Sequence, residues 1–316
     1  MTKPVSGASH PRLDALVARA AEHARQAVPT VGLVYPCDAL ALEAALRIAR
    51  SAVARPILIG PRDSIERAAD AAGVDAHDFE IVPTAPAAPE AARRATALAR
   101  DGALRSLMKG SLHTDELMSA VVDKSTGLRT ESRISHAFIF DLPCYHKLIA
   151  LADCVVNIAP DLAVKRDILG NAIELLQRLG IERPLVGIVA AIESVNPAIP
   201  ATLDAQALAQ MARDGAWPGA VVEGPLGFDN AFSRAAALTK GIESEVAGDA
   251  DLLLVPDLNA GNMLYKSFNY VGGGDCAGLV LGARVPIVLT SRADSLAARL
   301  ASVALAVLVA TDLSKS

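Results

Sequence analysis

The sequence predicts an α/β protein built from parallel βαβ units. Short apolar runs alternate with longer Ala- and Leu-rich stretches from end to end. The short runs are continuously apolar, as strands buried on both faces are. The chain has 316 residues, which suggests roughly two domains. Hydrophobic residues make up 52% and charged residues 21%, enough for a sizeable core and too apolar for a disordered chain.

The elements follow in order. Leu13 to Ala27 is Ala-rich and helical, and Thr30 to Tyr35 is a short strand ended by Pro36. Leu40 to Ala54 is a second helix, after which Arg55-Pro56 opens the strand ILIG. Ser64 is placed to cap the next helix. Phe79 to Val82 reads as a strand, Thr84 to Pro89 as a Pro/Ala loop and Pro89 to Asp101 as a helix. Leu104 to Met108 then leads into Lys109-Gly110. Further strands are expected at Cys154 to Ile158, Leu185 to Ala191, Ala220 to Glu223, Asp251 to Pro256, Gly278 to Leu281 and Ile287 to Leu289. Helices are expected at Lys165 to Leu179, Asp204 to Asp214 and Leu296 to Ala310. Polar, glycine-bearing stretches at Gly127 to Ser135 and Gly272 to Asp275 are candidate crossings between two α/β domains. The division expected is residues 1–133 with 278–316 as a discontinuous first domain, and 134–277 as the second.

Composition excludes several functions. Aromatics are 3%, too few for base-stacking platforms, and the net charge is −5, from 30 Lys and Arg against 35 Asp and Glu. A nucleic-acid partner is not expected. Cys37, Cys144, Cys154 and Cys276 are scattered and form no CxxC pair, so neither a zinc site nor a thioredoxin motif is signalled. The start MTKPVSGASHPRLDAL has no apolar core of a secretory signal. No run reaches the 18 or so apolar residues of a membrane span. A soluble, cytoplasmic protein with reduced thiols is expected, with no membrane partner and no bound metal.

Chemistry concentrates at strand ends, where α/β sheets bind ligands. In VLTSRADS a strand ends at Thr290 and a helix is expected to begin near Ser291. Ser291 with Asp294 three residues on forms a capping-box-like start. With Arg292 between them, the same residues make an anion site of helix amides and a bidentate guanidinium. In MKGSLHT a strand delivers Lys109, Gly110 lets backbone approach a ligand, and Ser111, His113 and Thr114 bring hydroxyl and imidazole groups. It is not a Walker A motif. In PDLNAGNMLYK, Asp257, Asn259 and Asn262 are expected in a turn that Gly261 permits, with Tyr265 and Lys266 on the next helix. Glu223 ends a strand in EGPLGFDNAFS, ahead of Asp229 and Asn230, and Asn157 with Asp161 ends another in NIAPD. Each taken alone reads equally as a cap or a turn. Five polar strand ends in one chain suggest a shared cleft.

Together these stretches resemble the phosphate acetyl/butyryl transferase family. MKGSLHTDEL, GLRTESRISH, NIAPDL, SVNPAIPATLDA, EGPLGFDNAFS, KGIESEVAGDADLLLVPDLNAGNMLYK and VLGARVPIVLTSRADS carry the resemblance, from about Thr30 to Ala310. It looks closest to the butyryltransferase-like branch, including a form fused elsewhere to an enoyl-CoA hydratase domain, which is not expected in these 316 residues. The resemblance implies two α/β domains of the isocitrate/isopropylmalate dehydrogenase-like fold with the active site in the cleft between them. It also implies a homodimer and the reaction of acyl-CoA with phosphate to give acyl phosphate and CoA. The family Ser-Arg pair maps onto Ser291 and Arg292. CoA and phosphate are then substrates, and no cofactor is needed.

Two positions depart from the acetyl-specific pattern. Ala298 stands where those members carry an Asp proposed as base for the CoA thiol. Ser119 stands where they carry an Arg after the His-Thr motif, which leaves Lys109, Arg129 or Arg133 to rebuild the phosphate clamp. The expected catalytic set is Ser291, Arg292 and Asp294, with His113 the other candidate base. The expected binding set is Lys109, Gly110, His113, Thr114, Asn157, Glu223, Asp257, Asn259, Asn262 and Lys266. The rival readings are a non-catalytic acyl-CoA- or phosphate-binding homologue and an NAD(P)-linked oxidoreductase of the same fold. The second lacks a GxGxxG after a strand.

Overall fold

A computed structural model describes residues 9–291 and 294–310. The chain divides into two compact units. One comprises Pro11–Ser132 and the stretch from Cys276 onward, and the other is built on Arg133–Asp275.

The chain begins with α1 (Pro11–Ala24), β1 (Thr30–Val34), α2 (Ala39–Arg50), β2 (Arg55–Gly60), α3 (Arg62–Ala72), β3 (Glu80–Pro83), α4 (Ala88–Arg100), β4 (Ser106–Lys109) and α5 (Thr114–Val121). The carboxylate of Asp38 caps α2 by accepting from the Ala41 amide at 2.8 Å. The cap expected at Ser64 lies elsewhere. α3 starts two residues earlier behind Pro61, and the Ser64 hydroxyl accepts from Arg67 within the helix.

The second unit continues with β5 (Ser135–Asp141), β6 (Ile149–Ala152), α6 (Leu162–Arg178), β7 (Leu185–Val189), α7 (Pro200–Arg213), β8 (Val221–Leu226), α8 (Phe228–Phe232), α9 (Arg234–Thr239), β9 (Leu252–Leu254) and α10 (Leu258–Tyr270). β6, β9, β7 and β8 are parallel neighbours in that order, and β5 runs antiparallel to β6. The strand expected at Cys154 to Ile158 is absent, and β6 lies just before it. The buried Asp153 carboxylate takes the amides of Val155, Val156 and Asn157 at 2.8 to 3.3 Å, so these cannot join a ladder. Most of the few aromatics gather here. Phe138 stacks on Tyr265 at 4.3 Å between ring centres, and Phe140 meets Phe268 edge-on at 5.0 Å.

The chain then returns to the first unit with β10 (Asp275–Leu281), β11 (Ile287–Val288) and α11 (Leu296–Ala310). The order in that unit is β3-β2-β1-β4-β11-β10, parallel except for β10. α11 packs on α1 and α2, and every residue from Ala298 to Ala310 is buried. That burial explains an all-round apolar sequence with no amphipathic face. The four cysteines form no disulfide. Among the described residues, no helix is long and apolar enough to cross a membrane.

Candidate active site

In the first unit, β1, β4 and β11 are parallel, so their carboxyl ends open on the same edge. β4 ends at Lys109, and the turn after it folds against the end of β1. The Gly110 amide donates to the Val34 carbonyl and the Ser111 amide to the Tyr35 carbonyl, both at 2.9 Å. The Ser111 hydroxyl accepts from the Cys37 amide at 3.0 Å. Gly110 is required by space rather than by torsion. A Cβ there would lie 2.6 Å from the Val34 oxygen and 2.7 Å from the Tyr35 oxygen. The Lys109 ammonium turns back over this loop and donates to the Leu112 carbonyl at 3.2 Å. His113 is the exposed N-cap of α5, and its amide donates to the Glu116 carboxylate at 2.7 Å. Thr114 is therefore the first residue of the helix.

The second motif meets the first on this edge. The Thr290 hydroxyl donates to the Lys109 carbonyl at 2.9 Å across 181 residues of sequence. The Ser291 amide donates to the Asp294 carboxylate at 2.7 Å, which is half of the expected capping box. The helix cap itself falls later than expected. α11 starts at Leu296, and the Ser295 hydroxyl accepts from the Ala298 amide at 2.9 Å. Ser291 thus lies ahead of the helix rather than at its N-terminus. Arg292 lies outside the described residues.

One residue that the sequence reading passed over organises Thr290, Ser291 and Asp294. Arg299 is 4% exposed. Its guanidinium donates to the Thr290 hydroxyl at 3.2 Å, the Ser291 carbonyl at 2.7 Å and the Asp294 carbonyl at 3.4 Å. Burial pulls its pKa below the ordinary arginine value, against the opposing pull of the Asp294 and Asp38 carboxylates. The available signal was a lone charge in LAARLASVALAVLVA. Ala298, beside it, is buried and apolar, so α11 offers no carboxylate at that position. Ser119 is exposed on α5, and the side chains of Arg129 and Arg133 are exposed as well.

In the second unit the carboxyl ends of β6 and β9 carry Asp153 to Asn157 and Asp257. The Asn157 amide group donates to the Asp153 carboxylate at 2.7 Å and to the Ile134 carbonyl at 3.1 Å, so it serves a structural network. Asp257 caps α10, accepting from the Ala260 amide at 2.9 Å. The turn expected around Gly261 is helix instead, so Asn259, Asn262 and Lys266 lie on α10, with Asn259 and Lys266 exposed. Gly261 is needed for close approach, since a Cβ would lie 2.7 Å from the Asp153 carbonyl oxygen. Glu223 is mid-strand, because β8 runs on to Leu226. Its side chain lines an open cavity of about 720 Å³ with Arg183, Leu185, Arg234, Glu245 and Asp249. Leu185 opens β7 and Asp249 precedes β9, so this cavity is on the amino side of the strands. Glu223 does not join Asn157 and Asp257. Asp229 and Asn230 likewise lie within α8, not before it.

His136 sits beside Asp153, fully buried, with neither ring nitrogen hydrogen-bonded. Its backbone amide donates to the Asp153 carboxylate at 3.2 Å. Burial lowers its pKa from 6.5 to about 4, although the Asp153 charge acts the other way. Between these two values the unfolded chain binds the extra proton. Stability is therefore expected to fall as pH drops from 6.5 towards 4, with a slope of up to about 1.4 kcal/mol per pH unit from this group. Urea midpoints across that window measure it. His136→Leu should flatten the slope by about one proton, and an unchanged slope would assign the dependence to other groups.

A family model described as phosphate acetyl/butaryl transferase matches residues 84–307. The chain is 50% identical over 288 residues to a phosphate acetyltransferase of Rhizobium meliloti, covering 91% of each protein. It is 40% identical over 280 residues to a phosphate butyryltransferase of Clostridium acetobutylicum, covering 89% of this chain and 93% of that one. Among solved structures it is similar to a branched-chain phosphotransacylase from Enterococcus faecalis V583, with 29% identity, a TM-score of 0.80, and coverage of 90% of this chain and 99% of that one. With two of the motifs joined at one strand edge and relatives matched over nearly their whole length, the chain belongs to the phosphate acetyl/butyryl transferase family.

Proposed function

We propose that this protein transfers a short acyl group between CoA and phosphate, interconverting acyl-CoA plus phosphate with acyl phosphate plus CoA. The observation that carries the reading is the Thr290–Lys109 bond, which joins TSRADS to MKGSLHT at one strand edge. In the direction of thioester synthesis, the CoA sulfur attacks the acyl carbonyl carbon. The tetrahedral intermediate then collapses and expels phosphate. A thiol with an ordinary pKa of about 8.5 must lose its proton to do this. The developing oxyanion and the leaving phosphate need fixed donors, for which Arg292 is the candidate. Asp294 and His113 are the candidate proton acceptors. The transfer uses CoA and phosphate as substrates and requires neither a redox cofactor nor a metal. A homodimer in the cytoplasm is part of the same reading, and light scattering of the purified protein reads its mass.

The test is turnover of acetyl phosphate and of butyryl phosphate with CoA, followed by thioester absorbance, with an NADP-reduction control. Thioester formation with either donor supports the reading. CoA binding without turnover favours a non-catalytic homologue, and NADP reduction favours the oxidoreductase.

Asp294→Asn separates a capping role from a catalytic one. The amide oxygen can still accept from the Ser291 N–H, so a cap alone predicts a loss of about 1 kcal/mol or less and unchanged turnover. A base predicts a fall of about 10²- to 10⁴-fold with little change in melting, and loss of the acidic limb of the pH–rate profile. With the proposed chemistry we expect the second outcome. Unaltered rate and pH profile would move the proton to His113.

A further inference from the structure

We infer that Arg299 is a positioning residue for acyl transfer, holding Thr290, Ser291 and Asp294 in register with the Lys109–Gly110 turn through one buried guanidinium. The inference rests on the proposed activity and extends it to a residue outside both motifs.

Three features support it. The guanidinium reaches three groups, namely the Thr290 hydroxyl, the Ser291 carbonyl and the Asp294 carbonyl. The planar fork of arginine spans such a set, whereas a lysine ammonium is a point donor. Next, the bonds form a relay. Arg299 donates to the Thr290 oxygen, and that hydroxyl donates onward to the Lys109 carbonyl. One side chain on α11 thereby ties the end of β11 to the end of β4, the two strands that carry the site. Finally, the placement is costly for stability alone. Arg299 lies near the N-terminus of α11, where the helix dipole disfavours a cation, and it is buried among apolar neighbours. The gain lies in fixing Thr290, Ser291 and Asp294, the described residues that flank Arg292 in the sequence.

Groups that orient a reacting residue typically change activity by 10- to 100-fold when removed, because small displacements of the reacting geometry are expensive. Arg299→Met is therefore expected to stay folded and to lose about 10- to 100-fold in kcat, with the KM for CoA changed by less than about 3-fold. Arg299→Lys should recover part of that loss. Added guanidinium ion should restore part of the activity of Arg299→Ala. Ser302→Ala is the control for mere loosening of α11. Its hydroxyl is buried on the same helix and accepts from the Gly278 amide, away from Thr290, Ser291 and Asp294. It should lower the melting temperature and leave kcat at 25 °C near wild type.

The wild-type assay comes first and separates the two readings. If wild type makes no thioester, the proposed function fails. If wild type turns over and folded Arg299→Met keeps its kcat, the positioning role is overturned. It is also overturned if Arg299→Met and Ser302→Ala lose activity equally, or if neither lysine nor guanidinium ion restores any.

Discussion

Arg292→Ala is expected to lower turnover by about 10²- to 10³-fold, the effect of removing one donor aimed at developing charge. Acyl phosphate and tetrahedral intermediate both present anionic oxygens to the site. A guanidinium can meet two of them at once, so its removal cannot be made good by water in the same geometry. Arg292→Lys should recover only part of the rate, because a point charge replaces a planar fork. Steady-state rates with acetyl phosphate and CoA measure this, with circular dichroism confirming that each variant is folded. A folded Arg292→Ala enzyme with near-normal turnover would falsify the role.

Gly110→Ala is expected to cost about 3 kcal/mol or more and to abolish most activity. The new methyl would lie 2.6 Å from the Val34 oxygen, 2.7 Å from the Tyr35 oxygen and 2.9 Å from the Pro36 Cα. All three are backbone atoms and cannot swing aside as a side-chain tip can. Relief requires β4 and β1 to part at the point where Gly110 and Ser111 bond Val34 and Tyr35. The same movement would pull Lys109 away from Thr290, so stability and turnover should fall together. Gly60→Ala is the comparison. It ends β2 in the same unit, and its nearest neighbour would be the Ile65 Cδ1 at 3.4 Å, an ordinary contact. Its cost should stay within about 1 kcal/mol. Urea unfolding of both variants reads the difference, and equal losses would show that crowding at Gly110 is not the cause.

Much of the fold was legible because buried parallel strands and Ala-rich helices leave continuous apolar runs. β1, β2, β7 and α11 fall where those runs lie. The errors cluster where a side chain competes with the ladder or with the helix cap. Asp153 captures three amides, so a run that reads as a strand becomes a turn. Asp257 starts α10 earlier than Gly261 suggested, because a carboxylate that accepts an amide three residues on is a strong helix start. Glu223 was expected to end a strand, yet β8 continues through Gly224 and Pro225 to Leu226.

The sequence by itself determined the alternation of strands and helices, the absence of a disulfide framework, and the motifs whose order marks the family. Each depends on local composition and spacing, which one strand or one helix is long enough to display. Only the tertiary structure decided which motifs meet. Lys109 and Thr290 are partners because β4 and β11 are parallel neighbours, a pairing set by strand order and not by any local period. In the sequence Arg299 is no more than a lone charge in an apolar helix. Its role emerges only once α11 is packed, because a buried guanidinium must find acceptors and Thr290, Ser291 and Asp294 supply them.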